Sequence, residues 1–153
     1  MPKTFQNPES FKISVEARIR QHARDRRTTV NRERMLLIFD RFLARIERHF
    51  PNVATLKGGL ALELRLSRAR ATKDIDLRMI GSPEVLLLRL QEAGRLSLGD
   101  YLDFEVMDHP EHADMTGDGV RYDGFRFRVE CLLAGVRYGD PFGLGIAFGD
   151  PIL

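Results

Sequence analysis

Two aspartates, Asp74 and Asp76, are separated by one apolar residue in the segment KDIDLRMI, residues 73–80. Apolar and charged residues alternate along this segment, which predicts a strand with one buried face. Side chains alternate across a strand, so both carboxylates lie on one face, about 7 Å apart. Such a pair fits a divalent cation such as Mg²⁺, which takes one or two carboxylates with phosphate oxygens and water. Simple exposure to solvent would explain the pair as often.

A glycine pair, Gly58-Gly59, precedes the aspartates and follows Lys57 and the apolar segment VATL, residues 53–56. VATL predicts a buried strand and LALELRLS, residues 60–67, a helix. Glycine lets backbone N–H groups approach a phosphate, and a helix N-terminus favours negative charge. Lys57 could add a point charge. A glycine pair alone is more often a plain turn, so only the order strand–GG–helix–strand–DxD predicts a site for a nucleoside triphosphate.

The remaining segments predict a helix-covered mixed sheet of the α+β (α/β) class. Ser14 is a candidate N-cap for a first helix, and Ser82 with Pro83 is a candidate start for a later one. Alternation in the second half predicts strands, one of which carries Cys131 on its apolar face, where it would be a core residue. The predicted helices span residues 14–26, 31–49 and 82–94, and the later strands 101–108, 125–133 and 144–150.

The helix predicted at 31–49 has one apolar stripe on an otherwise charged surface. The arginines between these apolar positions, Arg45 among them, are expected on the solvated side. The stripe consists of Met35, Phe39, Phe42, Ile46 and Phe50.

Charge is distributed unevenly along the 153 residues. Residues 1–50 carry 12 Lys/Arg against 6 Asp/Glu, whereas residues 96–153 carry 4 against 11. A basic first half suits a polyanion such as RNA or a nucleoside triphosphate, although well-solvated basic helices would look the same. The first residues show no secretory signal, and no apolar run reaches the roughly 18 residues that span a bilayer. A cytoplasmic protein is the expectation.

The segment LKGGLALELRLSRARATKDIDLRM, residues 56–79, resembles the signature of the nucleotidyltransferase superfamily. Within it, the chain is most similar to the AbiEii/AbiGii toxin family of type IV toxin–antitoxin systems. That family reads Leu-Lys-Gly-Gly, then an amphipathic helix, then Arg-x-(Ser/Thr)-x-Asp-(Leu/Ile)-Asp, which residues 56–59 and 70–77 match. The closing FGDPI at residues 148–152 is similar too.

The resemblance implies a polymerase beta-like nucleotidyltransferase fold in which Asp74 and Asp76 are catalytic and bind Mg²⁺ or Mn²⁺. Gly58 and Gly59, with Lys57 nearby, would bind the triphosphate of an NTP. The product would be an acceptor carrying a nucleoside monophosphate, and the family's acceptor is RNA, with tRNA 3′ ends best supported. A cognate antitoxin is the implied protein partner.

The chain departs from the family pattern at the third carboxylate, which the resemblance places at position 145, where this sequence has glycine. By alternation this position lies on the polar face of the strand LGIAFGD, residues 144–150. Three explanations are open. Glu130 or Asp150 substitutes, the protein is an inactive homologue that binds nucleotide or a partner, or the residue was lost because the active form harmed its host.

The domain organisation predicted is a single domain with basic helices at 1–50 packed on a nucleotidyltransferase core at 51–153. The family continues with a mostly helical half after the FGDP motif, and the 153 residues do not include it. Two functions therefore compete. One is metal-dependent transfer of NMP from an NTP to RNA, impaired by Gly145. The other is a catalytically degenerate fold that binds nucleotide or a protein.

Overall fold

The computed structural model describes residues 7–51, 53–56, 74–81, 84–109 and 124–148. Within these ranges, six strands form one sheet in the order β1-β2-β6-β4-β3, with β5 paired to β4. The β2–β6 pair is parallel and the other pairs are antiparallel. The predicted mixed sheet with helices is therefore confirmed. The strands are β1 (Ala54–Leu56), β2 (Asp74–Met79), β3 (Leu102–Asp108), β4 (Gly124–Leu133), β5 (Val136–Arg137) and β6 (Phe142–Phe148).

Two helices, α1 (Pro8–Arg26) and α2 (Val30–His49), precede the sheet. The α1 helix begins six residues before the predicted Ser14, because the Asn7 side chain accepts a hydrogen bond from the Ser10 N–H at 2.8 Å and Pro8 occupies the first turn. The prediction of Ser14 as the N-cap is therefore wrong. The α2 helix is capped by Thr29, whose hydroxyl accepts from the Arg32 N–H.

The apolar stripe of α2 packs on one face of the sheet, as predicted. Phe39 and Phe42 both contact Phe142 of β6 edge to face, with ring centroids 5.0 and 5.5 Å apart. Phe42 also contacts Phe104 of β3 at 5.3 Å. Phe39, Phe42, Ile46 and Phe50 are buried, and Met35 is partly buried against the same core. Cys131 of β4 lies in this core, as the alternation predicts.

Arg45 corrects the expectation of a solvated arginine face on α2, because its side chain is completely buried. Its guanidinium pairs with both carboxylate oxygens of Asp100, at 2.7 and 3.0 Å. It also donates to the Leu96 and Leu102 carbonyl oxygens. Arg41 Nε donates to Asp100 as well, at 2.9 Å. These bonds compensate the charge that burial removes from water, and they tie α2 to the segment before β3.

The third helix, α3 (Leu86–Gly94), begins later than predicted. Its N-cap is Val85, in the left-handed region at φ 47°, and no side chain caps the helix. Ser82 is therefore not the N-cap, and Ser82 and Pro83 lie outside the described residues. A Cβ at Gly94 would lie 2.4 Å from the Phe104 carbonyl oxygen, so this glycine allows α3 to approach β3 closely.

The α1 helix packs on α2 and reaches the β5–β6 connection through one polar cluster. Arg34 donates two hydrogen bonds to the Glu16 carboxylate, at 2.6 and 3.1 Å, and the Tyr138 hydroxyl donates to the same carboxylate. Hydrogen bonding by Arg34 holds the pKa of Glu16 below its ordinary value of 4.5, although partial burial acts in the opposite direction. None of the described helices is long and apolar enough to cross a membrane.

Candidate functional site

Asp74 and Asp76 lie on the face of the sheet opposite α2 and α3. Along β2 the residues alternate between exposed and buried, with both aspartates exposed and the apolar residues between and after them in the core. The predicted placement of both carboxylates on one face of a strand is therefore found in the structure. The alternation arises because successive side chains of a strand point to opposite faces of the sheet. When one face packs on the core, every second side chain lies on the other face.

The neighbouring strand β6 presents glycines to both aspartates. In the parallel register Asp74 is paired with Gly143 and Asp76 with Gly145. The Gly143 N–H donates to Asp74 Oδ1 at 3.0 Å. A Cβ at position 143 would lie 2.6 Å from Asp74 Oδ1, and one at position 145 would lie 2.6 Å from Asp76 Oδ1. Both carboxylates thus lie over a strip of backbone without side chains, which we call the glycine floor (Gly143 and Gly145).

Gly145 lies on the carboxylate face, where the family pattern places its third acidic residue. Its neighbours Leu144 and Ile146 are buried in the opposite face. The space that a side chain at 145 would enter already holds the Asp76 carboxylate. An acidic residue at this position would therefore be adjacent to Asp76, and the glycine at position 145 supplies no carboxylate there.

Glu130 does not take the place of the missing carboxylate. On β4, Glu130 comes two residues after Arg128, which pairs with Gly143. It therefore lies beyond the row of paired residues that joins Arg128, Gly143 and Asp74 across the sheet. Its carboxylate is 3.1 Å from Arg137 Nη2 and 3.5 Å from Arg128 Nε. Arg128 Nε is buried and makes no hydrogen bond within the described residues. Glu130 is thus occupied by two arginines at a distance from Asp76.

Lys57, Gly58, Gly59 and the alternative acid Asp150 lie outside the described residues. The strand before the glycine pair is described, and it is antiparallel to β2. Its last residue, Leu56, pairs with Leu77, the residue that follows Asp76. The β1 strand therefore ends beside the segment of β2 that carries the aspartates.

The donor set fits a divalent cation that binds jointly to protein and phosphate. Two exposed carboxylates lie on one face, and the glycine floor beside them places no side chain over the face at those positions. Mg²⁺ commonly takes one or two carboxylates and completes its shell with water and phosphate oxygens. Among the described residues, no group of three or more His, Cys, Asp or Glu side chains is placed to hold a metal alone. Two carboxylates fill only part of a Mg²⁺ shell, so the pair fits a cation whose other ligands are water and phosphate oxygens.

Comparison with known proteins identifies the family. No curated protein matches this chain in sequence. The family model described as nucleotidyl transferase AbiEii toxin, type IV toxin–antitoxin system, matches residues 41–153. The match begins within α2 and includes the whole sheet, both aspartates and the glycine floor. Because it extends over well more than half of the chain, the protein belongs to the AbiEii nucleotidyl transferase toxin family.

Proposed function

We propose that this protein binds a nucleoside triphosphate with Mg²⁺ or Mn²⁺ at Asp74 and Asp76 and transfers its nucleoside monophosphate to an RNA acceptor such as tRNA. The observation that supports this most is the pair of exposed carboxylates beside the glycine floor, in a chain of the AbiEii family. Family membership implies a nucleotide substrate and a cognate antitoxin. The metal, the RNA acceptor and the transfer itself are the proposed part.

In the proposed reaction, Asp74 and Asp76 would hold the cation, and Gly58 and Gly59 would bind the β- and γ-phosphates through their backbone N–H groups. A bound divalent cation supplies positive charge that neutralises the phosphate oxygens and favours departure of pyrophosphate. The hydrogen bond from the Gly143 N–H fixes the orientation of the Asp74 carboxylate before substrate binds. A bond forms between the acceptor oxygen and the α-phosphorus, and the bond from that phosphorus to the pyrophosphate oxygen breaks.

The acceptor hydroxyl must also lose its proton, and this is the step at which Gly145 matters. A carboxylate at position 145 would be a suitable base beside Asp76, but glycine supplies none. The same observation favours a second candidate function, in which the protein binds nucleotide or a partner without turnover. The two candidates share the nucleotide site and differ only in the transfer step.

The RNA part of the proposal rests on charge. Five arginines of α1 and its C-cap are exposed, and they lie in the basic first third of the chain. Such a surface would attract phosphate groups of RNA through long-range electrostatics, and binding would weaken as salt concentration rises. These residues are Arg18, Arg20, Arg24, Arg26 and Arg27.

The experiment that tests transfer compares the native chain with Gly145→Asp in the presence of labelled NTPs, total tRNA and Mg²⁺. Transfer by both proteins supports the enzyme as it stands. Transfer by the Asp variant alone means that the chemistry is present but disabled at one residue. Each reaction is repeated with EDTA and with Asp76→Asn, and with Asp103→Asn as the control, because Asp103 is an exposed carboxylate on the distant strand β3. Transfer that persists in Asp76→Asn contradicts the proposed role of the aspartates.

A further inference from the structure

The sheet register aligns an arginine with Asp76 on the far side of the glycine floor. Asp76 pairs with Gly145 on β6, and Gly145 pairs in turn with Arg126 on β4. Cross-strand partners share a face, so Asp76 and Arg126 lie on the same face of the sheet, and the residue paired between them is glycine. Two strand spacings separate their Cα atoms by about 10 Å. Asp76 and Arg126 thus lie on either side of a single glycine in the row of paired residues.

Arg126 differs from its neighbours in having no partner within the described part of the chain. Arg128 lies near Glu130, and Arg137 also pairs with Glu130. For Arg126 the structure shows only a backbone contact, in which its carbonyl oxygen accepts from the His109 N–H at 3.3 Å. A half-buried arginine whose five side-chain donors have no acceptor among the described residues is suited to receive an anion.

We infer that Arg126 binds a phosphate group on this face of the sheet, between the guanidinium and the cation that Asp74 and Asp76 would hold. The planar fork of arginine matches two phosphate oxygens, and glycine at 145 places no side chain of its own between Arg126 and Asp76. This inference rests on the proposed nucleotide site and adds a residue to it. Arg126 acts as a binding and positioning residue, since nothing places it at the reacting atoms.

The phosphate has two possible sources, the triphosphate of the nucleotide and the backbone of the acceptor RNA. Equilibrium binding of inorganic tripolyphosphate, of each NTP and of tRNA distinguishes them, measured in Mg²⁺ for the native chain, Arg126→Gln and Arg126→Lys. The matched control is Arg95→Gln, because Arg95 is exposed and follows α3 on the opposite side of the sheet. Circular dichroism establishes that each variant is folded.

If the nucleotide is the source, Arg126→Gln weakens binding of tripolyphosphate and NTP by about tenfold or more, as loss of hydrogen bonds to a charged group should. Arg126→Lys restores part of the affinity, because lysine keeps the charge but not the fork. If RNA is the source, those affinities are unchanged, tRNA binding weakens, and its salt dependence decreases by about one unit of slope.

The inference is overturned if Arg126→Gln binds all three ligands as tightly as the native chain and Arg95→Gln do. The proposed function would still stand in that case, provided that the native protein binds Mg²⁺–NTP and Asp76→Asn does not. Failure of the proposed function alone would look different. In that case tripolyphosphate binding depends on Arg126, but no transfer occurs even with Gly145→Asp, which refutes transfer and keeps the phosphate site. Native protein that binds none of the ligands refutes both.

Discussion

The carboxylate of Asp76 lies over Gly145, its partner in the parallel β2–β6 pair, so closely that a Cβ there would be 2.6 Å from Asp76 Oδ1. The glycine at the expected acidic position therefore has a local structural consequence in addition to a chemical one. Glycine supplies no base at this position, and it lets the Asp76 carboxylate occupy the space that a side chain at 145 would fill. Asp74 has the same relationship with Gly143, two residue pairs away along the strands.

This relationship predicts that Gly145→Ala alters the site more than the fold. The new Cβ displaces the end of an exposed, flexible side chain, so we expect the free energy of unfolding to change by less than about 1 kcal/mol. Affinity for Mn²⁺ should decrease because Asp76 is moved. Urea unfolding and a metal titration measure the two effects. Ala147→Gly, on the same face but paired with Arg78, is the control and should leave Mn²⁺ affinity unchanged.

The buried pair of Arg45 and Asp100 should be the most sensitive polar contact of the described core. Asp100→Asn leaves a fully buried guanidinium without its counter-charge, and we expect a loss of about 3 to 5 kcal/mol in the free energy of unfolding. Arg41→Gln removes only a peripheral bond to the same carboxylate and should cost much less. Denaturant unfolding compares the two variants. Equal losses would show that Arg45 is not the main partner of Asp100.

Acid should destabilise the fold through Asp100 and Glu16. Burial acts to raise the pKa of Asp100, but hydrogen bonds from Arg45 and Arg41 outweigh it and hold that pKa below the ordinary 3.8. Both carboxyl groups have lowered pKa values, so their stabilising effect is complete above the unfolded-state values of 3.8 and 4.5 and is lost as pH falls through the lower folded-state values. Melting temperatures between neutral pH and pH 2 test this. Glu16→Gln should show a smaller decrease than the native chain, and an equal decrease would contradict the assignment.

Cys131 should behave as a core residue rather than a nucleophile. It is 1% exposed, and burial raises the pKa of its thiol to about 12, so thiolate is scarce at neutral pH. A thiol-specific chromogenic reagent should react slowly with native protein and rapidly in denaturant. Fast reaction of the folded protein would place this thiol outside the core.

Features that depend on periodicity could be predicted from the sequence. The stripe of α2 and the two faces of β2 are local patterns. The period of a helix or a strand fixes which residues share a face, and the apolar residues mark the face that packs on the core. The polar position of Gly145 followed from the same alternation. These predictions needed no knowledge of which strands are neighbours.

Features that depend on contacts distant in the chain could not be predicted. Burial of Arg45 requires Asp100, 55 residues later, and no helical pattern reveals that partner. The alignment of Arg126 with Asp76 requires the order β2-β6-β4, which no local pattern in the sequence reveals. The alternation of Gly143 and Gly145 with the apolar residues of β6 is the signal in the sequence for the glycine floor.

The central claim is that Asp74 and Asp76 form one Mg²⁺–nucleotide site, whether or not the chain completes transfer. Titration of Mn²⁺ followed by electron paramagnetic resonance, with and without a non-hydrolysable NTP analogue, tests it directly. We expect the analogue to tighten Mn²⁺ binding to the native chain, and Asp74→Asn with Asp76→Asn to abolish that binding while Asp103→Asn keeps it. Equal Mn²⁺–nucleotide binding by the double variant and the native chain would contradict the claim.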